Sequence, residues 1–115
     1  MPSTTRYKRG DIVLVSFPFT DLTSSKRRPA LVVSPDRFND ALQDLVLVAL
    51  TSRLTGQDPI LIDPSDCTDG DLPKRSAVKP AKLFTIHASL VVKRVCTLAP
   101  SKLDDVLAHL RHFFS

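Results

Sequence analysis

The sequence contains no glutamate and no tryptophan, and of its 115 residues three are glycine, two are cysteine and 6% are aromatic. Each shortage excludes something. An EF-hand loop needs oxygen ligands at alternate positions and a closing glutamate, so the segment Asp-Pro-Ser-Asp-Cys-Thr-Asp-Gly-Asp at 63–71 reads as an acidic, turn-rich loop and not as a calcium site. With no tryptophan, a base-stacking platform would have to rely on Tyr7, Phe17 or Phe19. The two phenylalanines sit in or beside a strand pattern, where packing is their first use. Cys67 and Cys96 stand 29 residues apart with no partner motif. That argues against a disulfide framework and a zinc knuckle, and the expected state is two reduced, structural thiols. No run of 18 apolar residues and no charged-then-apolar leader is present, so a cytoplasmic protein without membrane contact is expected.

What is present fits one domain over residues 1–115, large enough for a modest core and too small for two. The net charge of +4 is unevenly spread. Residues 1–37 carry seven Lys/Arg against three Asp, residues 38–71 one against seven, and residues 72–115 eight against two. Folded together, the basic ends would make a positive face suited to a polyanion, with the acidic middle placed elsewhere.

The most informative stretch is residues 7–34, which reads as strand, polar loop, strand. The apolar run 12–17 is bounded by Gly10-Asp11 and by Pro18, and the run 30–33 by Pro29 and Ser34-Pro35. Between them lie hydroxyls and the basic triplet Lys26-Arg27-Arg28. Pro29 disfavours helical backbone at the residue before it, so Arg28 is held extended at the lip of a strand. Arginine offers a planar fork of donors that matches two phosphate oxygens. A bare basic triplet is also what a solvated loop looks like.

After a helical turn starting at Ser34 or Pro35, a third strand spans 45–50. If residues 35–44 return the chain so that Ser34 faces Leu45 in an antiparallel pair, Arg28 faces Thr51. Directly opposed residues have Cβ atoms about 4.5–5.5 Å apart, close enough for one cation and one hydroxyl to grip a single phosphate. A bulge would replace Thr51 by Ser52, which also carries a hydroxyl. Further strands are expected at 60–62, at 76–86 with an interruption at Pro80, and at 90–98. Lys79 and Lys82 either keep an edge soluble or touch a phosphate backbone. Ser101 is placed as the N-cap of a closing helix with Asp104 and Asp105 in its first turn. Leu103, Val106, Leu107, Leu110, Phe113 and Phe114 form its apolar stripe. The sum is a mainly β fold, a partly open antiparallel barrel of about six strands with a C-terminal α-helix.

The runs Arg9-Gly10-Asp11-Ile12-Val13-Leu14-Val15, Phe17-Pro18-Phe19-Thr20 and Arg28-Pro29-Ala30-Leu31-Val32-Val33-Ser34 closely resemble the MazF/PemK family. Val48-Ala49-Leu50-Thr51-Ser52 and Leu72-Pro73-Lys74-Arg75-Ser76-Ala77-Val78 extend that resemblance over nearly the whole chain. It implies an SH3-like barrel of the CcdB/MazF type and a homodimer. It further implies the toxin of a type II toxin–antitoxin pair, which cleaves single-stranded RNA without metal or other cofactor. The implied catalytic pair is Arg28 with Thr51. Lys26, Arg27, Ser52, Arg53, Lys79 and Lys82 are the candidate RNA contacts. The implied partner besides RNA is a cognate antitoxin whose disordered acidic and apolar tail fills the dimer groove. In better-known members the loop before the Arg-Pro pair is often glycine-rich, whereas residues 20–27 contain no glycine. This makes the loop less permissive in backbone conformation.

Such cleavage uses the ribose 2′-hydroxyl as nucleophile and leaves a 2′,3′-cyclic phosphate and a 5′-hydroxyl. Arg28 suits stabilisation of the non-bridging oxygens, and Thr51 suits orientation of the phosphate. Arginine is a poor general base because its pKa exceeds about 12. The histidines, His87, His109 and His112, are given no catalytic role. Two other readings use the same fold: a protein-binding toxin resembling the gyrase poison CcdB, in which the chain end carries the target contacts, and a catalytically idle RNA-binding module.

Overall fold

The computed structural model describes residues 7–17, 26–54 and 59–115, the side chains of Phe17 and Lys26 excepted. Its strands are β1 (Asp11–Phe17), β2 (Lys26–Val32), β3 (Asp44–Thr51), β4 (Ile60–Ile62), β5 (Cys67–Gly70), β6 (Ser76–His87) and β7 (Val91–Leu98). Helix α1 (Asp36–Leu42) joins β2 to β3, and α2 (Pro100–Phe113) closes the chain. The expectations placed on Pro18, Phe19 and the loop to residue 25 and on the side chains of Phe17 and Lys26 lie outside the described part.

All strand pairs are antiparallel, in the order β4-β6-β3-β2-β1-β7-β5, and the sheet curls into a half-barrel. The central strands bury both faces because their runs are continuously β-branched and aliphatic rather than alternating. One core joins Ile12, Leu31, Val48, Leu50, Ile62, Val78, Cys96 and Leu98 to Val106 and Leu110 of α2. The other joins Val13, Val15, Ala30, Val32, Leu45 and Leu47, with Tyr7 and Phe84 packed against it. Each fully buried aliphatic side chain of this kind contributes about 1.5–3 kcal/mol.

The return from β2 to β3 is tied by a buried polar cluster. Ser34 Oγ donates to Asn39 Oδ1 and accepts from the Val46 N–H at 3.0 Å, and Asn39 Nδ2 donates to the Ser34 carbonyl at 3.2 Å. Asn39 is fully buried, so these bonds offset its desolvation and hold α1 at one angle to the sheet. Helix α1 begins after Pro35, one of the two starts expected. In β6 the residues Pro80, Ala81 and Lys82 fall between the pairs Ala49–Lys79 and Val48–Leu83. This is the interruption that a proline without an N–H imposes.

Three expectations need correction. The described residues hold seven strands, not about six, because β5 pairs with β7 inside the segment read as a loop. Helix α2 starts two residues early: Ala99 is the N-cap and Pro100 takes the first position, where its fixed φ and missing N–H carry no penalty. Ser101 is therefore inside the helix, and Asp104 and Asp105 lie beyond the first turn. Of the apolar stripe, Val106 and Leu110 are buried and Leu103 and Leu107 pack on the core, but Phe113 and Phe114 remain 51% and 60% exposed.

Strand β5 depends on Gly70, whose φ is +85° and whose missing Cβ would lie 2.3 Å from the Val95 carbonyl oxygen and 2.8 Å from Cys96 Cα. Gly70→Ala adds left-handed strain to a backbone clash, so a loss of at least about 2 kcal/mol is expected. Calorimetry should show this as a fall in Tm of roughly 8 °C. An unchanged Tm would mean that β5 does not lie this close to β7.

Candidate active site

Pairs Ala30–Ala49, Leu31–Val48 and Val32–Leu47 set the β2–β3 register, and Val33 continues it by donating its N–H to the Val46 carbonyl at 2.9 Å. The same register carried two residues outward from Ala30–Ala49 sets Arg28 opposite Thr51, as the return at Ser34 requires. The ladder itself stops at Ala30, beside Pro29, which has no N–H to extend it. On its other side Arg28 is paired with Val15 of β1. By strand alternation Arg28 and Thr51 share the face of Ala30 and Ala49.

Arg28 is exposed and Thr51 half-buried. The Thr51 hydroxyl oxygen accepts the Arg53 N–H at 3.1 Å. That bond fixes the side chain while leaving the hydroxyl proton to donate elsewhere. Both residues line a groove of about 930 Å³ whose walls also include Arg27, Ser52, Arg53, Lys74, Lys93 and Arg94. Four of the candidate RNA contacts are thus divided: Arg27, Ser52 and Arg53 stand in this groove, while the Lys26 side chain lies outside the described part.

The remaining two, Lys79 and Lys82, line a second groove of about 520 Å³ with Ile60, His109, His112 and Phe113. Thr51 borders both grooves, so they adjoin at that residue. His109 lies 3.6 Å from Asp105 across one helical turn. His87 lines neither groove. Its Nδ1 accepts the Ser89 N–H at the far end of β6, ten residues and roughly 30 Å along the strand from the Ala77 that opposes Thr51.

The acidic middle of the chain is not set apart from the basic ends. Asp63 pairs with Arg75, Asp69 with Arg94 at 2.9 Å, and Asp66 approaches Lys102 at 3.9 Å. The hydrogen bond to Asp69, and then its charge, raises the Arg94 pKa above the ordinary arginine value. Arg94 is therefore already partnered, and it also donates to Thr97 Oγ1 at 2.7 Å. Among the described residues, Arg27, Arg28, Arg53, Lys74 and Lys93 of the groove enter no ion pair. Among the described residues Asp71 is the only carboxylate in its lining. The result is a cleft of net positive charge with one guanidinium and one hydroxyl opposed at its lip. Phosphate binding and stabilisation of added charge on it are what such an arrangement does.

Lys74, Lys93 and the partnered Arg94 are the groove cations that sequence reading did not assign. Lys74 lies within the quoted family run after Pro73 and so carried a weak signal, whereas Lys93 was read only as part of the strand at 90–98. No group of metal-ligating side chains occurs among the described residues, and none of their helices is long and apolar enough to cross a membrane.

Comparison with known proteins places this geometry. The fold is similar to MazF in a MazE–MazF complex from Deinococcus radiodurans (TM-score 0.72, 20% identity, 94% of this chain and 95% of that one). It is likewise similar to the Mycobacterium tuberculosis toxin MazF-mt6 (TM-score 0.65, 17% identity, 89% and 96%). A third similar structure is an endoribonuclease in complex with its cognate antitoxin from a mycobacterial species (TM-score 0.65, 16% identity, 96% and 91%). Comparison with curated proteins finds no match. The family model for the PemK-like, MazF-like toxin of type II toxin–antitoxin systems matches residues 8–114, and the chain belongs to that family.

Proposed function

We propose that this toxin is an endoribonuclease that cuts single-stranded RNA at preferred sequences without a metal ion. It works in the cytoplasm as a homodimer and is restrained by a cognate antitoxin. The observation that carries the reading is the β2–β3 register, which, carried two residues outward, sets Arg28 opposite Thr51 at the lip of a groove with five cations that enter no ion pair among the described residues. The solved relatives include an endoribonuclease and complexes with an antitoxin, which supports the same activity and partner here.

In this reading the RNA strand lies along the groove with one phosphate between Arg28 and Thr51. The 2′-oxygen attacks phosphorus in line with the departing 5′-oxygen, closing a 2′,3′-cyclic phosphate. Negative charge builds on the two non-bridging oxygens as the five-coordinate phosphorus forms. The Arg28 fork strengthens its hold as that charge grows, which lowers the barrier rather than merely tightening substrate binding. The Thr51 proton, left free by the bond to the Arg53 N–H, donates to the same phosphate. Arg27, Ser52 and Arg53 hold the backbone on this side. Lys79 and Lys82 hold it where the strand passes Thr51 into the second groove. An opposed cation and hydroxyl favour the nuclease over the protein-binding toxin and the idle module.

Thr51→Val keeps the β-branched shape and removes one neutral hydrogen bond, so cutting should slow roughly tenfold. The function itself is tested by incubating the purified protein with a long single-stranded RNA and with the same RNA annealed to its complement, then mapping stops by primer extension. Discrete stops on the single strand alone are expected. An intact single strand, or equal cutting of the duplex, would overturn the proposal.

A further inference from the structure

The strand that sequence reading missed brings the only two thiols of the chain together. Strand β5 pairs with β7 through Cys67–Leu98, Asp69–Thr97 and Gly70–Cys96, with a bulge that leaves Thr68 unopposed. Cys67 is thus the diagonal neighbour of Cys96. A regular diagonal spaces its Cα atoms about 7–8 Å apart; this pair lies at the bulge, beside the glycine whose missing Cβ would sit 2.8 Å from Cys96 Cα. The sulfurs are in contact at 2.8 Å, both side chains free. Neither residue has a part in the proposed RNA chemistry.

We propose that Cys67 and Cys96 are a covalent modification site, forming a reversible intramolecular disulfide when the protein meets a small disulfide oxidant of the glutathione class. The two thiols have different roles. Cys67 is half-buried at the outer strand, and Cys96 is fully buried beneath it. Burial first, and then the neighbouring Cys67, push the Cys96 thiol up and keep it protonated, so Cys67 is the sulfur that reacts with solvent-borne oxidant. Its thiolate attacks one sulfur of the oxidant, forming a mixed disulfide and releasing one glutathione thiolate. Cys96 then gives up its proton and attacks the Cys67 sulfur, releasing the second glutathione. Two protein thiols are oxidised to one disulfide, and one glutathione disulfide is reduced to two thiols. Because the chain holds no third cysteine, the bridge has no competing partner within the molecule.

The bridge would fasten β5 to β7 at the segment that leads directly into Gly70, Asp71, Leu72, Pro73 and Lys74 on the groove wall. It closes a loop of this length against unfolding, so the oxidised protein should melt roughly 10 °C higher than the reduced one.

The test is treatment of the folded protein with oxidised glutathione, followed by quenching, alkylation under denaturing conditions and intact-mass and peptide analysis. The expected result is loss of two hydrogens with neither cysteine alkylated, reversed by dithiothreitol, with Cys67 and Cys96 found in one linked peptide pair. Cys96→Ala should stop at a stable glutathione adduct on Cys67. Three results would overturn the proposal: both cysteines still fully alkylated, a wild-type glutathione adduct that never resolves, or a bridge linking two chains on a non-reducing gel. The wild-type mass and peptide pair decide the matter even if the variant folds poorly.

Discussion

Arg28→Ala should lose about a thousandfold in RNA cutting while the protein remains folded. Removing a single donor aimed at developing charge costs about a hundred- to a thousandfold, and a guanidinium removes two donors and a full charge together. Stability should be nearly untouched, because Arg28 is exposed, enters no ion pair among the described residues and lies beyond the last β2–β3 ladder pair. Surface changes of this kind usually alter stability by less than about 0.5 kcal/mol. Arg28→Lys restores the charge but not the planar fork, and it should recover no more than about a tenth of the activity. Single-turnover rates on a saturating RNA, beside circular dichroism and Tm, would separate lost chemistry from lost fold. Cutting within threefold of the parent in a folded Arg28→Ala protein would remove Arg28 from the reaction.

The second large effect is on binding. Five groove cations that enter no ion pair among the described residues, with Lys79 and Lys82 in the adjoining groove, give five to seven positions able to displace counterions from RNA. For single strands log K falls with log salt at about 0.7 per contact, so the slope should be roughly −3.5 to −5. The slow-cutting Arg28→Ala variant keeps four to six of these positions, so its slope should be roughly −2.8 to −4.2, and between about 50 and 200 mM salt its affinity should drop by roughly fifty- to three-hundredfold. Lys93→Ala should flatten the slope by about 0.7, whereas Arg94→Ala should change it little because Asp69 already neutralises that side chain. Fluorescence anisotropy across a salt series checks this. Equal changes from the two substitutions would mean that the Asp69–Arg94 pair opens when RNA binds.

The parts of the fold that were legible in the sequence are those in which local pattern and tertiary demand agree. Apolar, largely β-branched runs marked β1, β3 and the second half of β2; the basic first half of β2, read as loop, is strand because β1 pairs with it. The length of the return through α1 was enough to give the register that sets Arg28 against Thr51. Strand β5 was not legible, since Cys-Thr-Asp-Gly has neither alternation nor an apolar run, and its three outer residues are exposed. It is a strand because β7 offers it a ladder and Gly70 lets it approach. The same miss hid the Cys67–Cys96 contact and the Asp69–Arg94 pair, and so made the acidic middle look separate from the basic ends. At α2 a capping serine was preferred over a proline at the first helical position, and the proline's fixed φ prevailed. Lys74 and Lys93 reach the groove only because the sheet curls, which no local pattern records.

The most direct test of the central claim is cutting in EDTA of an oligoribonucleotide that spans a mapped cleavage site, beside the same oligonucleotide with one 2′-deoxy sugar on the 5′ side of the cut. The unmodified strand should be cut to a 2′,3′-cyclic phosphate and a 5′-hydroxyl, and the deoxy strand should stay intact. Cutting of the deoxy strand, 3′-hydroxyl ends, or activity that appears only when a divalent metal is restored would contradict attack by the 2′-hydroxyl at Arg28 and Thr51.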